Sequence, residues 1–321
     1  MRAIAVLASG GDAPGMNACV RAVTRAALER DAVVWGVEDG FSGLVNQRIE
    51  QLTSRGVAGI LQHGGCILGA GRCEPFFEAR AREQSVTFLR ERGVEGLVVI
   101  GGDGSLKGAQ EVHKLGFPVV TVPGTIDNDM PGTDRSIGAY TAVDVAMEAI
   151  DRLRDTASAH HRAMIVEVMG RHSGYIAVMS GVASGAEMIL TPERPIDLQG
   201  VFQEMAATEL RGKRHFIIVL SEGAPWSGFE LAQLINEADN PYEARYTTLG
   251  YVQRGGSPAA LDRILATRMG VAAVDALWEG KSGVLVAWQQ SHIVILPADQ
   301  LSPRADPWSE QLDRAHEITT T

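Results

Sequence analysis

The stretch PGTIDNDMPGTDRSIG, residues 123–138, follows the apolar run FPVVTVP. It sets Asp127, Asp129 and Asp134 beside the hydroxyls of Thr125, Thr133 and Ser136. So much carboxylate repels phosphate, which makes the loop a poor anion grip. The same residue types suit a general base, a ligand for a divalent cation, or a solvated turn. Two other loops also follow apolar runs: SGGDAPGMN at 9–17 and GGDGSLKG at 101–108. Their glycines, Gly10, Gly11, Gly102, Gly104 and Gly108, let backbone approach a ligand closely, and a helix N-terminus after such a loop offers amides to an anion. One loop of this kind is an ordinary turn between strand and helix. Three along one sheet edge describe a phosphate site. Asp103 in GGDGS either caps a helix or holds Mg²⁺ against a nucleoside triphosphate.

Such loops need strands to carry them. The runs RAIAVLAS, AVVWGVED, EGLVVIGG, FPVVTVP, RAMIVEVM, EMILTPE, HFIIVLSE and YTTLGYVQ are rich in β-branched residues and lack clean apolar–polar alternation. That is the pattern of parallel strands buried on both faces. Helical segments such as PGMNACVRAVTRAALER and CEPFFEARAREQSVTFLRERG lie between them. The alternation predicts α/β architecture with doubly wound parallel sheets, whose ligands sit beyond the carboxyl ends of the strands. The number of strands calls for two sheets, with a crossing near Gly138 to Tyr140. The tail after Leu301 is polar and expected at the periphery.

Other chemistries are excluded or weakened. GKS at 280–282 has Asp275 where a Walker A glycine belongs, and the dinucleotide pattern fails because Lys107 replaces its third glycine. A hydride-transfer enzyme therefore loses ground. The net charge of −10 argues against a nucleic-acid or membrane-surface binder, so any phosphate binding must come from local arginine clusters. Cys19, Cys66 and Cys73 are odd in number and lack CxxC spacing, which fits a reducing cytoplasm better than a disulfide framework. The N-terminus reads as a strand and turn rather than a signal peptide, and no stretch approaches the roughly 18 apolar residues of a spanning helix. The histidines, His160, His161, His172 and His215 among them, form no metal-binding spacing.

SGGDAPGMN, VVIGGDGS, PGTIDND, EAIDRLRDTASAHHR, VEVMGRHSG and LGYVQRGGSP resemble, in order and spacing, the bacterial ATP-dependent type of the 6-phosphofructokinase family. The resemblance runs from Ile4 to about Val284, and PGTIDND with MGR is its most specific part. It implies two Rossmann-like domains with the active site in the cleft between them. The larger, ATP-binding domain would be 1–138 plus about 253–305, and the smaller, sugar-phosphate-binding domain about 139–252 plus 306–321. The implied reaction is phosphorylation of fructose 6-phosphate at its 1-hydroxyl, a committed step of glycolysis. Asp127 would be the general base, Thr125 would steer the phosphoryl group, and Asp129 would support the Mg²⁺ side. Arg171 would offset charge on the transferring oxygens. Gly11, Arg72, Cys73, Gly102, Asp103, Gly104, Ser105 and Gly108 would line ATP, with Asp103 the Mg²⁺ ligand. Met169, Gly170, Glu222, Tyr251 and Arg254 would hold the sugar phosphate, joined by Arg162 and Arg245 from a neighbouring subunit of a homotetramer. On the residues alone, Arg162 reads as half of a surface ion pair.

Two glycines bear on the donor. Pyrophosphate-using relatives typically carry Asp at Gly104 and Lys at Gly124, so this pair of glycines implies ATP. Two departures stand out. Tyr251 replaces a histidine usual in the family; it can donate one hydrogen bond to phosphate but adds no charge, which implies altered sugar-phosphate affinity or preference. Arg21, Arg25, Arg154, Glu187, Arg211 and Lys213 match the family's site for ADP or phosphoenolpyruvate, yet Ser54 stands where an arginine is common, with Arg55 one place later and Ala58 and Gly59 at its hydroxyl and acidic positions. The alternatives are a kinase for tagatose or sedoheptulose phosphate, kept open by Tyr251, and a non-catalytic nucleotide or sugar-phosphate sensor, disfavoured because Asp103, Asp127 and Asp129 are all present.

Overall fold

The computed structural model describes every residue except Pro195, Ala305 and Thr321. The chain divides into two compact units, Met1–Tyr140 with Arg254–Ala305, and Thr141–Gln253 with Asp306–Thr321.

In the larger unit, β1 (Ala3–Ser9), α1 (Met16–Leu28), β2 (Val33–Val37), α2 (Phe41–Val45) and β3 (Ile49–Leu52) come first. A 3₁₀ turn (Glu74–Phe77), α3 (Ala79–Glu91), β4 (Gly96–Gly101), α4 (Asp103–Lys114) and β5 (Val119–Pro123) follow. The long helix α5 (Ala139–His160) leads out of this unit. In the smaller unit come β6 (Arg162–Val168), α6 (Tyr175–Ser184), β7 (Met188–Leu190), α7 (Leu198–Leu210), β8 (Phe216–Ser221), α8 (Gly228–Glu237) and β9 (Glu243–Thr248). A second 3₁₀ turn (Gly250–Arg254) leads back to α9 (Ala260–Trp278), β10 (Val284–Gln289) and β11 (His292–Pro297), and α10 (Glu310–Thr320) closes the chain in the smaller unit.

Among the described residues, the larger unit's sheet has seven strands in the order β11-β10-β5-β4-β1-β2-β3. Its interior is parallel, as its unbroken apolar runs predict, and β1 is buried along its whole length. The outermost pairs differ from that expectation: β3 runs antiparallel to β2, and β11 antiparallel to β10. The β10–β11 hairpin turns through Gln290 and Ser291, both at positive φ. A two-residue hairpin of this kind normally announces itself with Asn-Gly or Asp-Gly, and that signal is missing here. Helix α9 crosses α1 at close range: a Cβ at Gly270 would stand 2.8 Å from Ala22 Cβ and 2.9 Å from the Cys19 carbonyl oxygen. Only glycine lets the helices approach so far.

The helix expected over residues 73–93 is broken. Glu78 is extended between the 3₁₀ turn and α3, and Pro75 lies in that turn, where proline denies an amide to any longer helix. The strand expected at YTTLGYVQ starts earlier and ends at Thr248, before the 3₁₀ turn.

The smaller unit's sheet has four parallel strands, β7-β8-β6-β9, among the described residues. Ala163, Ile165, Phe216, Ile218, Leu220, Leu231 and Ile235 build its core. Its α8 opens with a capping box, Ser227 accepting from the Glu230 amide while Glu230 accepts from Ser227. The polar tail proves partly structural: Trp308 is buried under the Arg194 guanidinium, Asp313 pairs with Arg194 at 2.5 Å, and the His316 imidazole donates to the Ala186 carbonyl. Among the described residues no helix is long and apolar enough to cross a membrane.

Candidate active site

The strand order of the larger sheet reverses direction between β1 and β4, which makes their carboxyl ends a topological switch point. Register aligns Ser9 with Gly101 and Gly101 with Pro123, so the three loops singled out in the sequence emerge side by side. Hydrogen bonds lace them together. Ser105 Oγ donates to the Ser9 carbonyl at 3.0 Å, and the Gly124 amide donates to the Gly101 carbonyl at 3.0 Å. The Gly10 amide donates to the Gly71 carbonyl at 3.1 Å, drawing the Arg72–Cys73 segment to the same edge. Gly11 lies under the Arg254 guanidinium, and Arg254 Nη1 stands 4.0 Å from Asp12 Oδ1.

Helix α4 starts at the GGDG loop with Gly102 as its N-cap and no side chain capping its first-turn amides. Asp103 therefore is not a cap. Its carboxylate pairs instead with Lys107 Nζ at 2.6 Å, one turn on. Around Gly104 nothing comes within 4 Å of a built Cβ, while at Gly108 a Cβ would lie 2.7 Å from the Phe41 ring, itself stacked on Phe76. The first glycine leaves room for a ligand; the second leaves room for the protein's own aromatic pair. At Gly124 a Cβ would stand 3.1 Å from Ile100 and 3.2 Å from Met16. Any side chain there would first have to move two core residues, a packing constraint that sequence reasoning did not provide.

The acidic loop is held by its own polar side chains. Thr125 Oγ1 accepts from the Asp127 amide at 3.2 Å, and Ser136 Oγ donates to the Thr125 carbonyl at 2.7 Å. Asn128, at φ 48°, accepts from the Ser136 amide at 2.7 Å and donates to the Asp134 carbonyl at 3.1 Å. Asp262, fully buried on α9, accepts from the Gly138 amide at 2.9 Å. The loop thus doubles back on itself and buries Asp127 to 5% exposure, while Asp129 is less enclosed. Asp134 is more than a turn residue: it accepts from the Gln290 amide at 2.9 Å and its own amide donates to Trp288, fastening the loop to the β10–β11 hairpin.

In the smaller unit the loops after β6 and β8 are joined in the same way. Val168 aligns with Ser221, and Glu222 accepts from the Gly170 amide at 3.2 Å and the Arg171 amide at 2.7 Å. Gly170 sits at φ 143°, where a Cβ would stand 2.2 Å from the Ser173 carbonyl oxygen. Arg171 follows at φ 54°, its side chain exposed, and Met169 is buried beneath. Met169, Gly170, Arg171 and Glu222 therefore form one built turn. On the neighbouring strands β6 and β9, Arg162 and Arg245 both pair with Glu243.

A model of the phosphofructokinase family matches residues 3–277. ATP-dependent 6-phosphofructokinases resemble the chain over nearly its whole length: that of Bacillus licheniformis is 49% identical over 294 residues, covering 92% of each chain. That of Shouchella clausii is 45% identical over 318 residues, covering 99% of this chain and 96% of its own. The chain belongs to the phosphofructokinase family. Its backbone superposes on Pichia pastoris phosphofructokinase in the T-state with a TM-score of 0.89 and 36% identity, over 99% of this chain and 37% of that one. It also superposes on a pyrophosphate-dependent phosphofructokinase from Marinobacter aquaeolei with a TM-score of 0.84, over 100% of this chain and 92% of that one; at 21% identity this speaks to the fold alone.

The phosphofructokinase resemblance singled out six effector residues, and the structure brings three of them together. Arg154 and Lys213 lie 3.8 and 3.5 Å from Glu187 Oε1, and Glu187, buried, accepts from the Ile217 amide with its other oxygen. Arg211 pairs with Glu204 and Thr208, and Arg21 and Arg25 share a face of α1 in the other unit. His215, which carried no expected role, joins the cluster. Its Nε2 accepts from Arg154 Nη1 at 2.9 Å, which leaves Nδ1 as the donor to Ser158. Burial foremost, then the Arg154 and Lys213 cations, hold its pKa below the ordinary histidine value against the pull of Glu187. Tyr251 is 77% exposed on the second 3₁₀ turn. Burial raises the Cys19 thiol far out of the reactive range and pushes Cys66 up to about 11. Among the described residues no group of three or more His, Cys, Asp or Glu forms a metal cage.

Proposed function

We propose that this chain is an ATP-dependent 6-phosphofructokinase, a glycolytic kinase that phosphorylates fructose 6-phosphate on its 1-hydroxyl. The observation that carries this reading is a carboxylate 5% exposed, Asp127, on a loop hydrogen-bonded to the GGDG turn at a helix N-terminus. A sugar hydroxyl is a poor nucleophile until its proton is accepted. Asp127 takes that proton as the oxygen attacks the γ-phosphorus and ADP leaves. A positioned base of this kind contributes on the order of 10²- to 10⁴-fold. Thr125, whose hydroxyl accepts from the Asp127 amide, positions the loop against the phosphoryl group. Gly11, Arg72, Cys73, Gly102, Gly104 and Ser105 take the nucleotide on the larger unit, while Gly108 makes room for the Phe41–Phe76 pair. Met169, Gly170, Glu222, Tyr251 and Arg254 take the sugar phosphate, and Arg171 balances charge on the moving phosphoryl oxygens.

Mg²⁺ is the metal this reading calls for, polarising the β- and γ-phosphates when bound. The residues fit it: Mg²⁺ sites in kinases use one or two carboxylates plus substrate phosphates and water rather than a protein cage. Asp103, its side chain 41% exposed at the start of α4, would be the ligand, and Asp129 would support it. Arg245 lies on the edge strand β9 of its sheet, with Arg162 beside it at the start of the neighbouring β6, which suits donation to a neighbouring subunit of a homotetramer. The reading places the enzyme in the cytoplasm, with ADP and phosphoenolpyruvate as candidate effectors at the Arg154–Glu187–Lys213 cluster.

The test is a coupled assay of ATP and pyrophosphate against fructose, tagatose and sedoheptulose phosphates. Turnover with ATP and fructose 6-phosphate is expected to lead. Turnover with pyrophosphate alone sinks the donor assignment, and no turnover with any pair leaves only the sensor reading.

A further inference from the structure

Glu243 opens β9, directly opposite Arg162 at the start of β6, in the parallel register of the outermost strand pair. Arg162 Nε donates to Glu243 Oε2 at 3.1 Å. Arg245 lies two residues along β9, on the same face as Glu243 because side chains alternate along a strand, and it donates to the carboxylate's other oxygen. Both carboxylate oxygens are therefore engaged by the two guanidiniums assigned above to a sugar phosphate. Glu243 is half exposed, at a side-chain exposure of 50%, so the carboxylate can be displaced without leaving a buried charge unpaired.

We infer that Glu243 is an affinity-setting residue: a resident anion that holds Arg162 and Arg245 together and competes with the sugar phosphate for them. This rests on the reading that these two arginines are sugar-phosphate ligands. The charge argument is direct. Two guanidiniums and one carboxylate sum to +1, while the guanidiniums alone sum to +2, and a phosphate dianion must take over the hydrogen bonds that Glu243 accepts. The residue thus keeps the arginines paired when the site is empty and weakens binding of every anion in proportion to its own grip. Exposed ion pairs are weak, so that competition is on the order of a few-fold in affinity.

The experiment is steady-state kinetics on the assembled enzyme at saturating Mg-ATP, with inorganic phosphate as a competitive probe of the same site. Glu243→Gln is expected to lower KM for fructose 6-phosphate about two- to fivefold and to tighten inhibition by phosphate similarly, with the effect in KM rather than kcat and shrinking as salt rises. Glu243→Asp, which keeps the charge, is expected to stay near the parent. A KM that rises or does not move in Glu243→Gln, in protein with parental sedimentation and melting temperature, overturns the proposal. Arg162→Ala and Arg245→Ala separate the two ways to fail. If both raise KM while Glu243→Gln does not lower it, the ligand reading stands and the role of Glu243 falls. If neither arginine affects KM, the ligand reading fails and takes the proposal with it.

Discussion

Asp127 shows how one residue's task depends on its surroundings. Three aspartates in sixteen residues look alike in a sequence, and the fold assigns them different work. Asp134 binds backbone of the β10–β11 hairpin, Asp127 is buried behind Thr125, and Asp129 is left more open. Asp127→Asn keeps the size and removes the basicity. It is expected to lower kcat by about 10²- to 10⁴-fold while KM for fructose 6-phosphate and the melting temperature change little. A loss confined to KM would make Asp127 a binding residue only. Asn128 and Lys107 belong to the same scale and were not foreseen. An asparagine between two aspartates was a signal for a left-handed turn residue, whereas a lysine one helical turn after Asp103 was legible only once α4 was known to begin at Asp103.

Elements position these residues by register. The sequence placed glycine loops after strands, but which loops are neighbours follows from the order β5-β4-β1-β2 in the larger sheet and β8-β6-β9 in the smaller. The turn after β6 is the most constrained: Gly170 at φ 143°, then Arg171 at φ 54°, with both amides bound to Glu222. Gly170→Ala must relieve a 2.2 Å approach to the Ser173 carbonyl oxygen. It is expected to destabilise the protein by about 1–3 kcal/mol or more and to impair sugar-phosphate binding over nucleotide binding. Melting curves and separate titrations with the two substrates check this. An alanine variant with parental melting temperature and KM would show that the turn relaxes freely.

At the scale of the whole molecule, burial of charge makes stability depend on pH. The folded pKa of His215 is held below the ordinary value of 6.5 by its burial first and then by the Arg154 and Lys213 cations, against the pull of Glu187. As pH falls through that value the unfolded chain takes up a proton before the folded one does. Stability is therefore highest above about 6.5 and declines below it, until the folded pKa is reached. His215→Gln is expected to flatten that acid-side decline in melting temperature between about pH 7 and pH 5. If the parent and variant melt in parallel over that range, His215 is not the group responsible.

Much of the architecture was written in the chain. Unbroken, β-branched apolar runs such as LVVI and FIIV, followed by glycine turns, read as strands buried on both faces, and the loops after them carry residues that chemistry alone could sort into grips and bases. What the chain did not show is whatever depends on distant partners. The antiparallel edges rest on a polar strand and a hairpin without its usual turn residues, the packing demand at Gly124 comes from Ile100 and Met16, and Glu243 pairs with Arg162 across 81 residues. Local propensity and periodicity are properties of neighbours in sequence, and a linear reading carries them. Register, close approach and the pairing of charges are properties of neighbours in space, and only the folded sheet decides them.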